Sequence, residues 1–264
     1  MKKITALFLL LVLCNACGDY QKALKSEDVA TKFAMASELY DAGKYSKAIR
    51  LFEQLAPSYK GKPQAEKLFY MFSKSYYNTK QYSLSGYQFD SFVAGYPRSE
   101  KVEEAAFLGA KSYSKLSPAY SLDQTDTYKA IEKMQNFIDN YPESQYIVEA
   151  NETMKVLTEK LEKKSYEIAK QYNTISDYKS ALVAFDNFVA DYPGTTYKED
   201  ALFYKFDSAY QLAINSVYDK MKDRLNVAKT SYNNLMKFKS DTKYKQKAEE
   251  MNARIDEDLE KFKI

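Results

Sequence analysis

Two cysteines, Cys14 and Cys17, are the side chains best suited to covalent chemistry in this 264-residue sequence, which contains no histidine. Without an imidazole there can be no Ser-His-Asp or Cys-His catalytic arrangement and no metal site that uses histidine. The 36 Asp and Glu residues are spread along Lys/Glu-rich stretches, as on solvated helix faces. The sequence also has no Gly-rich phosphate loop, metal-ligand spacing or nucleophile elbow. We therefore expect a protein that is not an enzyme and that uses no cofactor and no metal.

The residues around Cys17 predict acylation rather than catalysis. A short basic start precedes an apolar run over residues 4–13, which is too short to span a bilayer and suits the core of a secretory signal. Small Ala16 before Cys17 resembles a bacterial lipoprotein cleavage site, although Cys14 stands where leucine is usual. We predict a lipoprotein signal peptide at 1–16. An ordinary signal peptide that is cut near Ala16 is the alternative.

A mature chain that begins at Cys17 would carry more than one acyl chain, which makes membrane anchoring effectively stable. Asp19 is not the immediate neighbour of Cys17, so we see no inner-membrane retention signal and predict the periplasmic face of the outer membrane. Residues 17–27 are assigned to a lipid-anchored tether. The net charge of +3 falls to +1 once Lys2 and Lys3 are removed, so no attraction to nucleic acid is expected.

The elements beyond the tether are predicted to be helices, because one helix-ending pattern occurs three times. In each copy a Phe is followed by Tyr four residues later and then by Pro, and Ser or Thr comes two residues after the Pro. The copies begin at Phe92, Phe137 and Phe188. The Tyr lies on the face of the Phe, the Pro stops the helix, and the hydroxyl residue can cap the next helix. Three copies in one register predict an internal repeat.

A second pattern indicates the type of repeat. Residues 43–52 resemble a tetratricopeptide repeat, in which the second helix carries a small and then a large apolar residue at fixed spacing. The small and large positions recur as Ala48 and Phe52, Ser85 and Phe89, Ala130 and Met134, and Ala181 and Phe185. Their separation exceeds the ideal ~34 residues, because the connection 117–126 and the helix over about 144–172 are long. The predicted fold is an all-α, tetratricopeptide-like solenoid.

Five helix pairs and a terminal helix account for residues 28–264. We expect the repeats at about 28–61, 62–97, 98–142, 143–193 and 194–240. The final helix, over 242–262, places six apolar residues on a narrow stripe: Tyr244, Ala248, Met251, Ile255, Leu259 and Phe262. We interpret it as the helix that caps the solenoid, with a partner-docking helix as the alternative.

Four stretches carry a resemblance to a known family. They are residues 17–25, 45–52, 116–131 and 166–172, of which 116–131 is the most distinctive. Together with the lipoprotein signal and the repeats, they make the whole mature chain similar to the BamD family of outer-membrane β-barrel assembly lipoproteins, closest to its Bacteroidetes-like form. The resemblance implies a non-enzymatic subunit that binds the periplasmic domains of a BamA-like insertase and helps to receive unfolded outer-membrane proteins. Its amino-terminal repeats would face the client and its carboxy-terminal repeats the insertase.

The first helix of each tetratricopeptide pair faces the concave groove with its second, fifth, ninth and twelfth positions. Taking Ala36, Ser73 and Ala110 as position eight gives a lining of Phe33, Tyr40, Lys67, Tyr70, Lys74, Tyr77, Phe107 and Lys111. An aromatic and basic groove suits an extended client peptide with aromatic side chains and a free carboxylate. The alternative is that the aromatics pack under neighbouring helices and the lysines are ordinary solvated charges.

The connection 117–126 is longer than a repeat needs. Pro118 and Asp126 could simply end one helix and cap the next. We instead predict that Tyr120, Leu122 and Asp123 contact a partner or lie over the groove.

Two other functions are compatible with helical repeats. A generic periplasmic scaffold for division or peptidoglycan synthesis explains the repeats but not the stretch 116–131. A glycan-binding lipoprotein of the nutrient-uptake type would be much longer and rich in Trp, which is absent here. No small-molecule substrate is expected.

Overall fold

The computed structural model describes residues 18–262, and all regular structure in this range is helical. Residues 18–25 form α1, and the other helices are α2 (Val29–Asp41), α3 (Tyr45–Tyr59), α4 (Ala65–Asn78), α5 (Tyr82–Gly95), α6 (Val102–Leu116), α7 (Thr125–Asn140), α8 (Ile147–Thr174), α9 (Tyr178–Asp191), α10 (Lys198–Ile214), α11 (Tyr218–Phe238) and α12 (Lys245–Glu260). None of these helices combines the length and the apolar character that crossing a bilayer requires. The predicted signal peptide and Cys17 lie outside the described residues.

The repeated Phe–Tyr–Pro pattern ends helices as predicted. α5, α7 and α9 each stop one residue before the Tyr, which is the C-cap. In each copy the Tyr amide donates to the carbonyl of the Phe at 2.8 to 3.0 Å. The two rings pack with their centroids 5.2 to 5.6 Å apart. Since the following Pro has no amide hydrogen to continue the helix, the pattern closes both the hydrogen bonding and the packing of the last turn.

The hydroxyl residue after each Pro does not cap the next helix, contrary to the prediction. Ser99 accepts from the amide of Lys101 at 3.0 Å, and Lys101 is itself the N-cap of α6. A turn occupies the residues in between, so the helix begins later than the Pro spacing suggested. The hydroxyl of Ser99 also donates to Glu66 at 2.6 Å, and Ser144 donates likewise to Glu103 at 2.5 Å. The hydroxyl therefore ties the start of one helix pair to the first helix of the preceding pair.

The same tie recurs at α12 without a Pro. Thr242 donates to Glu199 at 2.7 Å, and the amide of Lys243 donates to the same oxygen at 2.8 Å. The ammonium of Lys239 lies 2.9 Å from the other oxygen. These hydrogen bonds, that of Lys239 foremost, lower the pKa of Glu199 from 4.5 to about 2. The charged carboxylate therefore joins α10 to the connection between α11 and α12.

Replacing Glu199 with Gln is expected to flatten the acid dependence of stability. A carboxyl whose pKa is lowered by folding stabilises the protein above its unfolded pKa, and this stabilisation is lost as the pH falls from about 4.5 to about 2. Because the side chain is partly exposed, we expect about 1 to 2 kcal/mol rather than the full linkage value. Urea unfolding at pH 7 and at about pH 2 should show the variant less stable than the parent at pH 7 and much closer to it at about pH 2. Parallel pH profiles would contradict this role for Glu199.

The described chain forms two compact units, of which the first holds residues 18–118 and 123–157 and the second holds 119–122 and 158–262. In both units the predicted small and large positions of the repeat are 0% exposed: Ala48, Phe52, Ser85, Phe89, Ala130, Met134, Ala181 and Phe185. The tetratricopeptide register is therefore confirmed. Small residues at these positions let the two helices of a pair approach closely, and the large ones fill the space between pairs.

The stripe on α12 packs into the core of the second unit. Ala248, Met251 and Ile255 are buried there. Tyr244 stacks on Phe203 with ring centroids 3.8 Å apart. The stripe is therefore covered by its own unit, and the capping role of this helix stays a prediction.

α1 differs from the prediction of a tether over residues 17–27. Residues 18–25 are helical, and Tyr20 and Ala23 are 5% and 2% exposed in the core of the first unit. The ammonium of Lys47 lies 5.1 Å from the centroid of the Tyr20 ring. Two apolar anchors in so short a stretch give little periodicity, so its helix could not be predicted from the sequence.

Candidate functional site

Three of the predicted groove residues, Tyr40, Lys67 and Tyr70, line one cavity in the first unit. The cavity has a volume of about 420 Å³ and lies between α2, α4 and the residue that precedes α6, Lys101. Lys67 is exposed, whereas Tyr70 lies at the back with 9% of its surface accessible. Burial raises the pKa of Tyr40 to about 12, so its hydroxyl stays protonated. The cavity thus offers two aromatic faces, two hydroxyl groups and two ammonium groups, next to the carboxylates of Asp41 and Glu66.

An ion-pair cluster surrounds Tyr70. The ammonium of Lys74 lies 2.6 Å from a Glu104 oxygen and 3.1 Å from the Tyr70 hydroxyl. Lys101 lies 3.6 Å from the other Glu104 oxygen. Burial alone would raise the pKa of Glu104, but the hydrogen bonds from Lys74 and Tyr70 outweigh it and lower that pKa. The cluster therefore positions Tyr70 and neutralises Lys74.

The next predicted residues along the groove, Tyr77, Phe107 and Lys111, form a separate cluster. Lys111 pairs with Glu149 at 2.5 Å. Burial alone would lower the pKa of Lys111, but hydrogen bonds to Glu149 and Tyr77 raise it above its ordinary value. Phe107 is 2% exposed and stacks on Tyr146 with ring centroids 4.6 Å apart. Phe107 therefore packs in the core and is not available to contact a ligand.

Phe33 is also a packing residue. It is half-buried, stacks on Tyr59 with centroids 5.2 Å apart and belongs to the core of the first unit. The predicted lining thus separates into packed aromatics, paired lysines and the cavity residues Tyr40, Lys67 and Tyr70. Client binding in this groove stays a prediction, and these last three residues are its best candidates.

The sequence reasoning missed the acidic partners in the groove. Glu104 occupies the second position of α6 in the same register that selected Phe107 and Lys111. Glu104 is neither aromatic nor basic, which are the two types of side chain that predicted the lining. Applying the position rule to every residue type would have identified Glu104, although not its pairing with Lys74.

Part of the long connection, residues 119–122, belongs to the second unit and contacts α8. The ammonium of Lys163 lies 4.3 Å from the centroid of the Tyr120 ring, and Lys164 donates to the Leu122 carbonyl at 2.6 Å. Tyr120 helps to line a cavity of about 420 Å³ with α8. Asp123 accepts from the amide of Thr125 at 2.9 Å.

The helix start after this connection differs from the alternative in which Asp126 caps the next helix. The N-cap of α7 is Gln124, and Asp126 lies in the first turn of the helix. The side-chain bond at this helix start comes from Asp123 instead. A carboxylate in the first turn still interacts favourably with the helix dipole.

Substituting Tyr120, Leu122 and Asp123 together with Ala is expected to reduce partner recovery severalfold in co-purification. The exposed Leu122 side chain supplies apolar contact area, while losing the Asp123 bond costs only about 1 kcal/mol. Thermal unfolding should therefore shift by only a few degrees. Tyr128→Ala, an exposed aromatic on α7, is the control and should leave recovery unchanged. A large fall in melting temperature with partner binding retained would show that the three residues are structural.

A cavity of about 530 Å³ in the second unit was not predicted. It lies between α9, α10 and α11 and combines apolar side chains with three lysines: Val189, Leu202, Phe238, Lys198, Lys205 and Lys237. Phe238 is 46% exposed, and the Lys198 ammonium lies 5.5 Å from its ring centroid. Lys205 pairs with Asp186. In the sequence, the available signal for this surface was a Phe that stands beside lysines at a predicted helix end.

No group of three or more Cys, Asp or Glu residues within 18–262 is arranged to hold a metal ion. The candidate sites are built from aromatic, apolar and charged side chains.

Comparison with known proteins gives matches over most of the chain. Residues 25–225 match the YfiO family, which is described as outer membrane lipoprotein. A protein of Aquifex aeolicus is 29% identical over 243 residues, which cover 86% of this chain and 75% of that protein. A protein of Rickettsia prowazekii is 24% identical over 241 residues, which cover 89% of this chain and 94% of that protein. Both are named as the outer membrane protein assembly factor BamD.

Among solved structures, the TPR-like repeats of a kinesin light chain from Podosopora anserina align with 82% of this chain and 98% of their own, at 12% identity and a TM-score of 0.33. The family match spans most of the described residues. This chain therefore belongs to the YfiO family of outer membrane lipoproteins.

Proposed function

We propose that this chain is an outer-membrane protein assembly factor. It is a non-enzymatic subunit of the β-barrel assembly machinery that scaffolds a BamA-like insertase and helps to receive unfolded outer-membrane proteins. The observation that carries the proposal is the family match over residues 25–225, together with relatives named as assembly factors. Acyl chains on Cys17 hold the protein on the periplasmic face of the outer membrane. A helical-repeat fold suits this role because it presents extended surfaces to other polypeptides.

The cavity of Tyr40, Lys67 and Tyr70 is the proposed client site. Aromatic faces provide contact area for the terminal aromatic residue of a β-barrel client, and the protonated hydroxyl of Tyr40 can donate to its backbone. Lys74 is already neutralised by Glu104, so Lys67 is the better candidate for attracting the client's terminal carboxylate.

Replacing Lys67 with Glu is expected to weaken the binding of such a peptide about fivefold, which corresponds to roughly 1 kcal/mol for one partly exposed charge contact. The measurement is fluorescence anisotropy with a labelled peptide that ends in an aromatic residue and a free carboxylate. Lys60→Glu makes the same charge change at an exposed site outside the cavity and should have little effect. Amidating the peptide should reproduce the loss with the parent protein. Equal losses from both variants would indicate only general electrostatic attraction.

The cavity between α9, α10 and α11 is the proposed docking surface for the insertase. Its exposed Phe238 and its lysines suit an acidic segment with an apolar residue on a periplasmic domain of that partner. This assignment agrees with the expectation that the carboxy-terminal repeats face the insertase.

Co-purification from outer membranes in mild detergent tests the proposed function. A carboxy-terminal tag on the full chain and mass spectrometry of the recovered proteins provide the readout. We expect a large β-barrel protein with repeated periplasmic domains, in near-equal amount. Recovery of only peptidoglycan-associated or division proteins would overturn the proposal in favour of the generic periplasmic scaffold.

A further inference from the structure

The chain leaves almost no free segment between the predicted lipid anchor and the first folded unit. α1 begins by residue 18 and packs through Tyr20 and Ala23 into the same core as α2, α3 and α4. The ammonium of Lys47 on α3 lies over the Tyr20 ring. After α1, the amide of Ser26 bonds to the Lys22 carbonyl at 2.9 Å, which closes the helix before α2. The chain from Gly18 to the start of α2 therefore belongs to the first folded unit.

The reach of the chain limits how far this unit can lie from the anchor. Tyr20 is three residues from Cys17, and three residues span at most about 11 Å even when fully extended. Since the Tyr20 ring is held in the core, this limit applies to the folded unit itself. A flexible linker of about twenty residues would instead give an average span of about 25 Å.

We propose that the first unit lies directly on the lipid headgroups, with α1 and the start of α3 as its membrane-contacting surface. The inference rests on the proposed lipid anchor at Cys17. Lys22, Lys25 and Lys47 are exposed on this surface. Their amines suit the phosphate groups of an anionic leaflet, although Lys22 also pairs with Asp19 at 3.1 Å. The partner of this surface is therefore the lipid bilayer.

A fluorescence-quenching experiment on the full lipoprotein tests the contact. The protein is reconstituted in vesicles of phosphatidylethanolamine and phosphatidylglycerol that contain a headgroup-linked quencher. Because Cys14 and Cys17 are the only cysteines and Cys17 would be acylated, one introduced cysteine can be labelled uniquely. Gln21→Cys reports on α1, and Glu132→Cys on α7 reports on a helix several packed layers away, each layer about 8 to 10 Å thick.

In a further version of both labelled proteins, about twenty Gly and Ser residues are inserted after Gly18. We expect quenching at position 21 to be at least about threefold that at position 132 in the parent, and the insertion to remove this difference. Thermal unfolding of the inserted variant should match the parent, which shows that the insertion leaves the unit folded.

The outcomes separate the proposed lipid anchor from the proposed membrane contact. Vesicle flotation is measured first, and failure to float overturns the lipid anchor and this inference together. Flotation with equal quenching at both positions, or with quenching that the insertion does not change, overturns the membrane contact alone. The proposed assembly function would then stand with a unit held away from the bilayer.

Discussion

Replacing Cys17 with Ser is expected to remove most of the protein from the outer-membrane fraction. The predicted acyl chains are attached to the thiol and the amine of this residue, and one missing thiol removes the attachment point on which anchoring depends. No described helix can replace the anchor by crossing the bilayer. Separation of the membranes on a density gradient, with immunodetection of the protein, measures the change. Labelling with radioactive palmitate should mark the parent and not the variant.

Cys14→Ser is the matched control for this experiment. Cys14 lies in the predicted signal peptide, so its replacement should leave both acylation and outer-membrane location intact. An ordinary signal peptide that is cut near Ala16 predicts a different result, in which neither substitution changes fractionation or labelling. That result would contradict the lipoprotein assignment of the mature amino terminus.

Phe185→Ala is expected to cost about 3 to 5 kcal/mol of unfolding free energy. The side chain is 0% exposed in the second unit. Its ring lies 6.5 Å from the ring centroids of both Tyr166 and Tyr204. Truncation removes these contacts and leaves a cavity that the surrounding helices can close only in part. Since the free energy of unfolding of a small protein is about 5 to 15 kcal/mol, the loss is a large share of the stability.

Val183→Ala on the same helix is the control for this substitution. Val183 is 62% exposed, so its truncation should change stability by no more than about 0.5 kcal/mol. Urea unfolding followed by circular dichroism measures both variants. If Phe185→Ala cost no more than the control, the aromatic core of the second unit would not be packed as described.

Residues that act through local periodicity could be predicted from the sequence by itself. The pairs from Ala48 and Phe52 to Ala181 and Phe185 fall at the predicted buried positions, because helix geometry places residues four apart on one face. The helix ends at the Phe–Tyr–Pro copies follow from the missing amide of Pro and from a ring contact within one turn. The family resemblance, carried most strongly by 116–131, also came from the order of residues alone.

Only the tertiary structure decided which predicted site residues can act. In the sequence, Lys74 and Lys111 suggest an open basic groove. In the structure, Glu104 and Glu149 neutralise them from other helices. α1 is a helix because its apolar residues pack into a core made by helices that follow it in the chain. In each case the partner lies far away in sequence. The distance to the partner and its burial set the electrostatic and packing energies. Both are defined only once the helices have assembled.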